Sequence, residues 1–92
     1  MGSYLPINKC SNAHLSNLVD TSDEWISKRS GIKNRHFVKD NEKTSDMSFF
    51  AANKAIDNAG ISKNDIDLIV LATTTPDNTF PSTATLVQNK LG

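Results

Sequence analysis

Trp25 and Arg29 stand four residues apart in the segment Val19-Asp-Thr-Ser-Asp-Glu-Trp-Ile-Ser-Lys-Arg-Ser-Gly-Ile-Lys-Asn-Arg-His36, a spacing that puts an indole and a guanidinium on one helix face. The indole offers a stacking surface for a purine, and the guanidinium offers a forked pair of donors to a phosphate. A nucleotide-bearing ligand such as coenzyme A would use both. The same pair also suits a plainer role, with Trp25 packed in a core and Arg29 complementing the negative end of its helix. Thr21 is equally double: its hydroxyl can cap the helix or touch a ligand.

Other residues carry weaker chemistry. Cys10 lies four residues before His14, but a thiol nucleophile needs a base and an electropositive setting, and no such signature surrounds it. His36 sits beside Arg35 in an extended segment, where exposure or a structural role is the default. The bases Lys28, Arg29, Lys33, Arg35 and Lys39 follow the acids Asp20, Asp23 and Glu24 with no acid among them. They form either a solvated surface or the rim of one anionic site. Neither interleaved aromatics nor a recognised fold points to nucleic acid. No His, Cys or carboxylate group has metal-ligand spacing. Phe80, before Pro81, is apolar in a polar loop and either plugs the core or projects to a partner.

The elements that must position these residues are legible in outline. Glu24 three residues after Thr21 has capping-box spacing and predicts a helix starting near Thr21, with Lys28 and Arg29 in its last turn and Gly31 ending it. Asn12 is the expected cap of a short preceding helix bearing Leu15, Leu18 and Val19. Asn34 to Lys39 reads as an extended strand. Thr44 or Ser45 caps a helix in which Met47, Phe50, Ala51, Ala55 and Ala59 recur at helical spacing before Gly60, so this is expected to be a core helix. Ser62 and Asp65 make another capping signal. Ile66-Asp-Leu-Ile-Val-Leu-Ala72 reads as a buried parallel strand, and Pro81 as the first turn of a last helix bearing Ala84, Val87 and Leu91.

The order helix, strand, helix indicates an α/β architecture, yet a central parallel strand needs neighbours on both edges and one core strand is all that is evident. The expectation is a portion of a larger α/β domain. Ninety-two residues make one small domain at most, and at this size folding buries roughly 60–65% of the unfolded surface. With a formal net charge of zero, whole-molecule attraction to nucleic acid or to a membrane is not implied. The single cysteine and the lack of a signal peptide or spanning apolar run favour a cytoplasmic setting.

The words Ser3-Tyr-Leu-Pro6, Asp20-Thr-Ser-Asp-Glu-Trp-Ile26, Arg29-Ser-Gly-Ile32, Arg35-His36, Ala59-Gly-Ile61, Asp65-Ile-Asp-Leu-Ile69 and Phe80-Pro-Ser82 resemble the N-terminal part of β-ketoacyl-[acyl-carrier-protein] synthase III, in the thiolase superfamily. The word from Asp20 to Ile26 is highly specific, and Ser30 and Lys33 are mild departures from the usual Thr and Arg. The resemblance implies a thiolase-like fold of which residues 1–92 are a partial N-terminal domain, lacking the first strand and everything from the catalytic cysteine onward. It implies an acyltransferase of fatty-acid synthesis in which a Cys takes an acyl group from acyl-CoA and condenses it with malonyl-acyl carrier protein, helped by a His and an Asn. It implies a homodimer, with CoA thioester as substrate and no separate cofactor or metal. Thr21, Trp25 and Arg29 would contact the nucleotide end of CoA, and Phe80 would lie at the dimer interface and bound the partner's acyl pocket. With no counterpart to the Cys, His and Asn, these 92 residues are expected not to condense anything alone; the alternatives are a CoA-binding or synthase-associating piece, or a relic.

Overall fold

Three serines in extended backbone open helices here. Ser11 Oγ accepts from the His14 N–H at 3.2 Å, Ser22 Oγ from Trp25 at 3.2 Å, and Ser82 Oγ from Thr85 at 3.3 Å. Each hydroxyl satisfies one of the N–H groups that a helix start leaves without a partner. The helices are α1 (Asn12–Ser16), α2 (Asp23–Ser30) and α4 (Thr83–Leu91). A fourth, α3 (Thr44–Ala59), opens differently: Lys43 is the cap position, and the Asp46 carboxylate accepts from its backbone N–H at 2.9 Å. Gly31 (φ 73°) and Gly60 (φ 68°) end α2 and α3 in the left-handed conformation that only glycine adopts without strain.

The computed structural model describes all 92 residues, in two compact units. Pro6–Asp40 holds α1, α2 and a two-stranded antiparallel sheet of β1 (Asn8–Ser11) and β2 (Asn34–Phe37), in the register Cys10 opposite Arg35. The second unit, Met1–Leu5 with Asn41–Gly92, is α3 packed on α4 plus a single 3₁₀ turn at Lys63–Asp65. One of its ties is polar. Asp77 accepts from the Ser45 N–H at 2.8 Å and from the Ser45 hydroxyl at 2.5 Å, so a loop carboxylate sits on the positive end of α3. Gly2 lies so close to α3 that a Cβ there would stand 2.5 Å from the Ala51 carbonyl, which forbids any larger residue.

Several expectations change. The Asn34 strand is present, but its partner β1 carried no recognisable strand pattern. Ile66–Ala72 has no hydrogen-bonded neighbour, and Leu68 and Val70 are 78% and 84% exposed. A strand is completed by its neighbours, and no other part of this unit is extended beside it. In place of one buried core strand, the sheet is the β1–β2 pair. α3 is less a core helix than its periodicity implied: Ser45 alone is fully buried, Met47, Ala51 and Ala55 are half-buried, and Phe50 and Ala59 are exposed. The caps shift too, from Asn12 to Ser11, from Thr21 to Ser22, and from Thr44 or Ser45 to Lys43, and Pro81, expected in the first turn of the last helix, precedes its cap Ser82. Where two adjacent residues can both cap, the one whose successor is already helical wins.

Lys90 Nζ meets Asp46 Oδ1 at 2.9 Å, joining the end of α4 to the start of α3. That bond first, and then the Lys43 backbone N–H, hold the Asp46 carboxyl below its ordinary value of 3.8. A carboxyl with a lowered folded-state value stabilises fully above 3.8 and loses that contribution as pH falls through the lower value. Lys90→Met is therefore expected to cost about 0.5 kcal/mol at neutral pH, the scale of a screened surface pair. In thermal melts run against pH, the gap between the two proteins should close in acid.

Candidate functional site

The sequence of α2 places acids first and bases last, as the helix dipole favours: Asp23 and Glu24 in the first turn, Lys28 and Arg29 in the last. Nothing on this helix is buried. Trp25 is 56% exposed, and the Arg29 guanidinium lies 5.3 Å from the centroid of its ring, within cation–π range. The core-packing role for Trp25 is thereby excluded within this unit. The pair forms an open surface of one flat aromatic face and one forked cation, which can stack a base and bind a phosphate.

Thr21 does not cap. Its hydroxyl oxygen is buried and has no hydrogen-bond partner, whereas Ser22 receives the Trp25 N–H. Glu24 consequently falls at the second helical position, one short of where a capping box needs it. Cys10 is buried in β1, and its thiol contacts only the Ser11 carbonyl, at 3.6 Å. No imidazole partners it: His36 Nδ1 is held 2.6 Å from the Pro6 carbonyl. Phe80 is 86% exposed, so of its two roles it projects rather than plugs.

The residue that sequence reasoning misplaced is Asn12. Freed from capping by Ser11, it is 1% exposed. Its Nδ2 donates to Asp23 Oδ1 at 2.7 Å and to the Ile32 carbonyl at 2.8 Å, with Ser27 Oγ at 3.4 Å; its Oδ1 accepts from Arg35 Nη2. The Asn12 backbone N–H donates to the Lys33 carbonyl at 3.0 Å. One carboxamide thus touches the first residue of α2, the chain just after its Gly31 end, and β2. The signal that could have found it is the Ser11-Asn12 pair, in which a second capping residue is redundant and so free for another use.

A concavity of about 470 Å³ lies along α4 and is lined by Lys63, Ile66, Leu68, Ala84, Gln88 and Leu91. It includes none of Thr21, Trp25, Arg29 and Phe80.

No protein-family model matches the chain. Over its full length it is 63% identical to β-ketoacyl-[acyl-carrier-protein] synthase III of Ehrlichia canis (strain Jake), and over 99% of its length 62% identical to the synthase of the same name from Neisseria meningitidis serogroup A. Among solved structures, 3-oxoacyl-[acyl-carrier-protein] synthase III from Aquifex aeolicus superposes on 98% of the chain with a TM-score of 0.86 at 50% identity. The priming β-ketosynthase of the R1128 polyketide pathway superposes on 99% at 0.86 and 32%. The chain spans 27–29% of the length of these relatives.

The cap assignment is open to a direct check. Ser22→Ala should destabilise by about 1 kcal/mol through loss of the cap. Thr21→Val, which removes a hydroxyl that has no partner, should be neutral or stabilising. Urea titrations followed by Trp25 fluorescence would reverse this order if Thr21 were the cap.

Proposed function

We infer that this chain, related over its whole length to β-ketoacyl-[acyl-carrier-protein] synthase III, supplies the coenzyme A docking face of a thiolase-fold condensing enzyme of fatty-acid synthesis. The observation that carries this reading is the half-exposed Trp25 with Arg29 laid against it, on a helix with no fully buried residue. The indole stacks on the adenine, and the guanidinium pairs with a nucleotide phosphate. Lys28 and Lys33 add positive potential on the same stretch. Thr21, whose hydroxyl is spared from capping, is the remaining polar contact.

In the complete reaction a cysteine thiolate attacks the thioester of acyl-CoA and free CoA leaves. Loss of carbon dioxide from malonyl-acyl carrier protein then generates a carbanion that attacks the enzyme-bound acyl group, giving the β-ketoacyl carrier protein and returning the thiol. No residue among these 92 takes the nucleophile's part. Cys10 is buried without a base, so the contribution of this portion is to binding. The acyl carrier protein is the second substrate-bearing partner. Phe80, projecting from the loop before α4, is the contact for a second copy in a homodimer, at the edge of that copy's acyl pocket. A cytoplasmic setting is part of the same reading. No helix here is long and apolar enough to cross a membrane.

Trp25 is the sole tryptophan, so its fluorescence reports the site directly. Coenzyme A should quench it saturably, and Arg29→Ala should weaken the apparent affinity about ten-fold, the loss expected for one charge-assisted hydrogen bond. The 92-residue chain should form no acetoacetyl-carrier protein from acetyl-CoA and malonyl-carrier protein. Absence of quenching at millimolar coenzyme A would count against the docking face, and turnover would count against a purely binding role.

A further inference from the structure

We propose that Asn12 is the positioning residue of the Trp25–Arg29 face, its buried carboxamide fixing where α2 stands. The inference rests on the docking reading above and deepens it. α2 has eight residues, none fully buried and only Ile26 and Ser27 half-buried, so intrinsic helix stability and apolar packing hold it weakly. A polar anchor supplies what they lack. Asn12 supplies one at each end, through Asp23 Oδ1 at 2.7 Å and the Ile32 carbonyl at 2.8 Å. Trp25 and Arg29 lie between these anchor points.

The anchor is itself fixed. Arg35 Nη2 donates to Asn12 Oδ1, which leaves the NH₂ group pointing at Asp23 and Ile32, and Arg35 Nη1 donates to the Cys10 carbonyl at 3.3 Å. The backbone N–H of Asn12 is tied to Lys33. Both amide hydrogens and the amide oxygen are therefore committed, in a place closed to water, where loss of any partner costs the full desolvation of the other. Ser27 Oγ adds a bond to the same Asp23 oxygen at 3.2 Å, one turn along α2. A face that must present a ring and a cation at a set spacing gains affinity from being held before the ligand arrives.

The test separates positioning from plain stability. Asn12→Asp keeps volume but turns two donors into acceptors facing a carboxylate and a carbonyl. Asp23→Ala removes one anchor from the exposed side, and Asp23→Asn can restore it, since an amide oxygen also accepts. With coenzyme A titrated against Trp25 fluorescence, N12D and D23A should bind about ten-fold or more weakly while D23N stays near the parent chain. N12D should also lose the near-ultraviolet circular dichroism band of Trp25 while the far-ultraviolet helix signal persists. Should N12D fail to fold, the comparison of D23A with D23N, by both readouts, decides alone. Binding within two-fold of the parent in N12D or D23A, or an unchanged Trp25 band, overturns the proposal. If the parent chain does not bind coenzyme A, the docking reading fails, and the near-ultraviolet band by itself upholds or refutes the positioning role.

Discussion

The buried carboxamide of Asn12 is the constraint on which the Pro6–Asp40 unit depends. It reaches both ends of α2, the guanidinium of Arg35 on β2 and, through its own backbone, the carbonyl of Lys33. Cys10 and Pro6 are the only apolar residues of that unit that are fully buried, so hydrophobic packing supplies little direction. In such a unit a saturated polar network does what a larger core would do elsewhere: it selects one arrangement over others of similar compactness. The network has no slack. Each hydrogen-bonding group of the Asn12 carboxamide has a partner, and the partners lie on α2, in the turn after it and on β2.

The second unit is organised by the same kind of device. Asp77 closes the start of α3 from a distant loop, and Asp46 and Lys90 join the start of α3 to the end of α4. Between these ties runs Ile66–Ala72, whose sequence is that of an interior strand and which pairs with no other strand. The conflict between its composition and its exposure is instructive. Apolar and β-branched residues state a preference for being covered, but preference does not create the neighbouring strand that must satisfy the N–H and C=O groups.

The candidate site follows from these supports. α2 contributes an aromatic ring and a cation, and contributes little to a core; such a helix is free to present its surface to a ligand because its position is held from outside by a neighbour. That division, in which one residue type touches the ligand and another holds the element, explains why spacing alone pointed to Trp25 and Arg29 and passed over Asn12.

The sequence by itself determined what is local. The αL endings at Gly31 and Gly60, the acid-to-base polarity of α2 and the four-residue spacing of Trp25 and Arg29 depend on interactions within one or two turns, and all are present. The exact caps were misjudged by a residue, because Thr21 and Ser22, or Ser11 and Asn12, are chemically near-equivalent and differ only in which one the rest of the chain needs elsewhere. Tertiary structure decided that. It took Asn12 out of the cap because its side chain meets Asp23, Ile32 and Arg35, contacts separated by 11 to 23 positions. It also left Trp25 exposed and Ile66–Ala72 unpaired, since burial and sheet pairing are properties of what lies across from a residue in space, which no local pattern encodes.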